Sequence, residues 1–87
     1  MPILRVALPT PLRRLFDYLP AKGQRLPEPG VRVQVPFGNR QLIGLLIERV
    51  DESAIPVSKL KAARDYLDRQ PLFEREHLDF LLWVAHY

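Results

Sequence analysis

Nine prolines and four glycines fall within the first 71 residues. Each proline fixes φ and lacks a backbone N–H, so it ends or edges regular structure. A chain punctuated this often forms short strands joined by turns and loops. The apolar runs between these breaks agree. Residues 3–8 (I-L-R-V-A-L) read as a strand ended by Pro9, and residues 9–14 as a turn or an extended connector. Residues 15–19 (L-F-D-Y-L) read as a second strand bounded by Pro20. Residues 20–30 hold three prolines and two glycines and read as a loop.

The clearest pattern follows. Val31, Val33 and Val35 alternate with Arg32 and Gln34, the period of a half-buried strand. Residues 36–39 (P-F-G-N) are a turn, and residues 42–50 (L-I-G-L-L-I-E-R-V) are the returning strand of a hairpin. Gly44 inside that strand signals a bulge or a close backbone approach. Residues 51–58 are a polar loop broken by Pro56. Over residues 59–69 the pattern leans to a helix through Leu60, Ala63 and Leu67, although an extended reading also works. Leu78, Leu81, Leu82 and Ala85 predict an amphipathic helix over residues 74–87, packed on the rest through a stripe widened by Phe80, Val84 and Tyr87. Four or five short strands and then a helix make a single β-rich α+β domain across residues 1–87. Its expected form is a small barrel of the OB or SH3-like kind, closed by the C-terminal helix.

Cysteine is absent, which excludes a disulfide scaffold, a cysteine-based zinc site and a cysteine nucleophile. No segment is long and apolar enough to span a bilayer as a helix, and the N-terminus lacks a signal-peptide layout, so a soluble cytoplasmic protein is expected. Residues 1–50 carry eight basic and three acidic side chains, and residues 51–87 carry five basic and seven acidic. A one-sided basic field suits a phosphate-bearing partner, although ordinary surface scatter gives the same total.

Catalysis finds little support. His77 and His86 are nine residues apart, not the spacing of a helical metal pair. Ser53 and Ser58 lie in a loop without a nucleophile-elbow pattern, and the glycines are too scattered for a phosphate loop. Neither a metal nor a cofactor is expected. Binding finds more. On a strand, Phe16 and Tyr18 share one face and Asp17 takes the other. Their plain reading is core. Their functional reading is an aromatic edge that stacks a nucleobase, beside a carboxylate that accepts hydrogen bonds. Gly38, lacking a Cβ, is either a simple turn residue or a place where a ligand lies against the backbone.

Several segments together resemble a known family. They are R-V-A-L-P-T-P-L (5–12), F-D-Y-L (16–19), P-G-V-R-V-Q-V-P-F-G (29–38), I-G-L-L-I (43–47), L-K-A-A-R-D-Y-L-D (60–68), P-L (71–72) and L-L-W-V-A-H-Y (81–87). In this order they resemble the N-terminal 3′-DNA-binding domain of PriA-type primosomal replication-restart helicases. The resemblance runs almost end to end and implies an OB-like barrel, in plain or permuted strand order, with residues 59–66 as a strand. It implies a monomeric piece of a longer helicase that recognises the 3′ end of a nascent leading strand at a stalled fork. The family's pocket for the terminal nucleotide falls on Phe16, Asp17, Tyr18, Gly38 and Lys61. The helicase's G-x-x-x-x-G-K-[ST] loop and its zinc-binding cysteines have no counterpart here, so no catalytic activity is expected of this chain.

A mechanism follows as an expectation. Asp17 would welcome a terminal 3′-hydroxyl as donor and repel a 3′-phosphate or an internal phosphodiester. Lys61 would offset Asp17 or hold the preceding phosphate. The rival reading is an SH3-like protein-interaction barrel. Salt separates them, because strand binding weakens steeply as counterions return and a peptide groove changes much less.

Overall fold

The computed structural model describes residues 2–12 and 14–72. They form β1 (Ile3–Ala7), β2 (Leu15–Tyr18), β3 (Arg32–Phe37), β4 (Arg40–Val50), a 3-10 turn (Val57–Lys59) and β5 (Asp65–Tyr66). The strands make one antiparallel sheet in the order β2-β1-β4-β3-β5. The helix expected over residues 74–87 lies outside the described residues.

The alternating valines do what their period requires. Val31, Val33 and Val35 are fully buried with Leu4, Val6 and Leu46, and Tyr18, Ala21 and Ala63 complete the cluster. The hairpin runs two residues further than the proline suggests. Pro36 and Phe37 belong to β3 and pair with Gln41 and Arg40, leaving Gly38 and Asn39 as a two-residue turn. Gly38 has φ +59° and Asn39 is not left-handed, the combination of a type II′ turn. The ladder between β1 and β4 slips between Arg5 and Val6, which face Glu48 and Leu46, so Ile47 is the extra residue of a bulge.

The two edges of the sheet meet. Leu19 N donates to Lys61 O at 2.9 Å, and Ala63 N donates to Leu19 O at 2.8 Å. This parallel bridge joins the end of β2 to the segment that leads into β5. Residues 59–69 are therefore extended beyond the 3-10 turn, and the helical lean of their pattern is corrected. Helix propensity differs by only a few tenths of a kcal/mol per residue. It yields here to burial of Ala63 and to backbone bonds from Arg64 N to Gln34 O and from Leu67 N to Arg32 O.

Asp68 fastens this strap. It accepts from Arg32 N at 2.8 Å and from the Arg32 guanidinium at 3.1 and 2.8 Å. Those hydrogen bonds hold the Asp68 carboxyl below the usual carboxylate range and raise Arg32. A depressed folded value means that the contribution is complete above about pH 4 and is lost as pH falls through the lowered value. The thermal midpoint of the protein is expected to drop on acidification below about pH 4, and Asp68→Asn to lower it at pH 7 and flatten that drop. A melt series from pH 7 to pH 2 checks both, and an acid branch as steep in the variant as in the parent refutes the assignment.

Candidate nucleic-acid interface

The Tyr18 hydroxyl donates to Pro36 O at 2.8 Å inside the protein. Burial pushes the Tyr18 hydroxyl pKa up, so it remains a donor at neutral pH. This bond ties the end of β2 to the tip of the β3–β4 hairpin. Phe16, Asp17 and Tyr18 therefore lie next to Gly38. The closing bridge through Leu19 brings Lys61 to the same place. All five residues singled out from the sequence line one open groove of about 410 Å³.

Their roles in the groove differ. Tyr18 is 6% exposed and belongs to the core, so little of its ring is open to the groove. Phe16 is half-buried and packs on the core. Its ring meets Phe37 edge to face at 5.2 Å, and the Arg14 guanidinium sits 4.6 Å from its centroid. A Cβ placed on Gly38 would meet nothing within 4 Å, so the space above it is open. Lys61 is exposed and lines the groove together with Lys59 and Arg14.

Asp17 is 13% exposed and already engaged. Arg5 Nε donates to its Oδ1 at 3.3 Å, and the same guanidinium reaches Glu48 Oε1 at 3.1 Å. Ser53 Oγ donates to Asp17 Oδ2. A carboxylate has about four lone-pair positions, so each oxygen keeps one free for a further donor. The sequence did not single out Arg5, Arg14 or Ser53. The register Arg5↔Asp17 makes the first contact. A hairpin alignment of residues 3–7 with 15–18 would have exposed it. Nothing in the sequence announces Ser53.

The arrangement is a cationic, aromatic groove with one carboxylate, suited to a strand that offers bases, phosphates and a hydroxyl. Among the described residues no group of three or more His, Cys, Asp or Glu could hold a metal. None of the helices there is long and apolar enough to cross a membrane.

Comparison with known proteins follows the same direction. Residues 5–87 match the family model of the PriA 3′DNA-binding domain (3′BD). A replication restart protein PriA from Haemophilus influenzae is 42% identical over 87 residues, covering 100% of this chain and 12% of that protein. One from Treponema pallidum is 33% identical over 93 residues, with 99% and 14% covered. One from Buchnera aphidicola of Acyrthosiphon pisum is 28% identical over 86 residues, with 99% and 12% covered. The chain thus spans about an eighth of the length of these relatives. It belongs to the PriA 3′DNA-binding-domain family.

Proposed function

We propose that this groove captures the 3′-terminal nucleotide of a nascent leading strand at a stalled or abandoned replication fork. The domain is a non-catalytic, monomeric OB-like barrel. It would orient the rest of a replication-restart helicase on forked DNA in the bacterial cytoplasm. The observation that carries the reading is the convergence of Phe16, Asp17, Tyr18, Gly38 and Lys61 on one groove, with Arg14 and Lys59 beside them.

The physical argument turns on Asp17. Single-strand grooves usually combine cations with stacking surfaces and let the strand continue. A carboxylate accepts a hydrogen bond from a free 3′-hydroxyl and opposes a 3′-phosphate. Two like charges about 4 Å apart at an effective dielectric near 20 repel by roughly 4 kcal/mol. Arg5 neutralises part of that field. A third of it still gives roughly tenfold discrimination. Lys59, Lys61 and Arg14 supply the attraction for the phosphates that precede the terminal nucleotide. Base identity contributes little, because stacking and backbone contacts are nearly sequence-blind.

Fluorescence anisotropy with a short labelled single strand tests this at fixed low salt. The 3′-OH strand is expected to bind about tenfold more tightly than the same strand with a 3′-phosphate. In Asp17→Asn the ratio is expected to fall to about one. Three phosphate contacts on a single strand predict a loss of roughly twentyfold in affinity between 50 and 200 mM salt. Equal binding of the two ends by the parent protein refutes end capture, and salt-independent binding refutes the phosphate track.

A further inference from the structure

We infer that Ser53 is the positioning residue that gives Asp17 its power to discriminate strand ends, by holding the carboxylate and the groove-lining loop at Ile55 with one hydroxyl. This rests on the end-capture reading above. Ser53 Oγ has one proton, and it goes to Asp17 Oδ2 on β2. The same oxygen accepts from Ile55 N at 3.1 Å. Ile55 and Ala54 line the groove together with the β2 residues. One hydroxyl therefore links a strand to a loop that has no ladder partner of its own among the described residues, since residues 51–56 lie between β4 and the 3-10 turn.

Charge geometry makes the position of Asp17 matter. Arg5 pulls on Oδ1, and Arg5 is itself shared with Glu48. Without a donor on Oδ2, the carboxylate is free to rotate toward the guanidinium and take both Arg5 donors, the favoured bidentate arrangement. Its outer lone pairs would then face Arg5 and leave the groove. Ser53 opposes that rotation and keeps one oxygen turned to the loop side. A hydroxyl suits the task because it neutralises nothing: the carboxylate keeps its charge against a phosphate.

The test compares the parent protein with Ser53→Ala, Ser53→Thr and Asp17→Asn, using 3′-OH and 3′-phosphate strands in the anisotropy assay. Ser53→Ala is expected to lower the 3′-OH preference at least threefold, mainly through weaker binding of the 3′-OH strand. Ser53→Thr keeps the donor and is expected to restore the preference. Melting curves on each variant report folding. If Ser53→Ala melts well below the parent, Ser53→Cys, similar in shape but a much weaker donor, is expected to lower the preference in the same direction. A full preference in Ser53→Ala beside a lost one in Asp17→Asn overturns the inference while end capture stands. Equal weakening of both strands in Ser53→Ala assigns Ser53 a merely structural role and also overturns it. No preference in the parent protein overturns end capture itself, and this inference with it.

Discussion

Gly44→Ala is expected to destabilise the protein by about 3 kcal/mol, the upper end for overpacking a core by one methyl. Gly44 is buried in β4, opposite Val33 of β3. A Cβ there would lie 2.6 Å from Ala7 O, 2.6 Å from Val6 Cγ1 and 2.6 Å from Leu8 Cδ2. Side-chain atoms can yield by rotating, but Ala7 O is backbone. Relief therefore requires β1 to move off β4 and disturbs the ladder through Val6↔Leu46 and Ala7↔Leu45. The domain has roughly 4–13 kcal/mol in total, at about 0.05–0.15 kcal/mol per residue, so the loss is a large share. Gly23 supplies the contrast. It has φ +74°, and a Cβ added to it would meet nothing within 4 Å, so alanine there costs about 1 kcal/mol of backbone strain. Urea unfolding followed by circular dichroism measures both. Gly44→Ala within about 0.5 kcal/mol of the parent would mean that β1 relaxes freely and that the close approach is not a constraint.

That close approach is legible in the sequence as a glycine inside an apolar strand. So are the four longer strands, because valine alternation and proline breaks are local signals. The departures have non-local causes. Pro36 reads as the start of a turn, yet it extends β3, because the type II′ turn needs only Gly38 and Asn39. Residues 59–69 lean to a helix because propensity is local, whereas their extended path is set by Leu19, Gln34 and Arg32 from distant segments. Phe16, Asp17, Tyr18 and Gly38 carry a binding reading beside a plain one in the sequence itself, whereas Lys61 is reached only through the family resemblance. Tyr18 illustrates why: its plain reading as core holds, and it lines the groove as well. Asp17 is legible as a carboxylate near aromatics, but its state depends on Arg5, 12 residues away, and Ser53, 36 residues away.

Phe16→Ala is expected to weaken single-strand binding about thirtyfold, near 2 kcal/mol, within the 1–3 kcal/mol that one stacked base contributes. The ring is half-buried, packs against the core and lines the groove. Arg14 sits 4.6 Å from its centroid and Phe37 braces it edge to face at 5.2 Å. An incoming base has two ways to use this stack. It can lie on the planar guanidinium, extending the Phe16–Arg14 pair, or displace Arg14 and lie on the ring itself. Both need Phe16, and they differ in what Arg14 does. In the first, removing Arg14 costs the stack and a phosphate contact together. In the second, Arg14 swings to the strand backbone and contributes charge alone, worth about one phosphate in the salt slope. Phe16→Leu keeps most of the core packing while removing the π-face, so it separates stacking from stability. It is expected to stay folded and to lose about tenfold in affinity, roughly 1.4 kcal/mol. Anisotropy on proteins shown to be folded by circular dichroism reads the effect. Parent-like binding in Phe16→Leu would remove stacking from the account and leave Phe16 as a core residue that happens to border the groove.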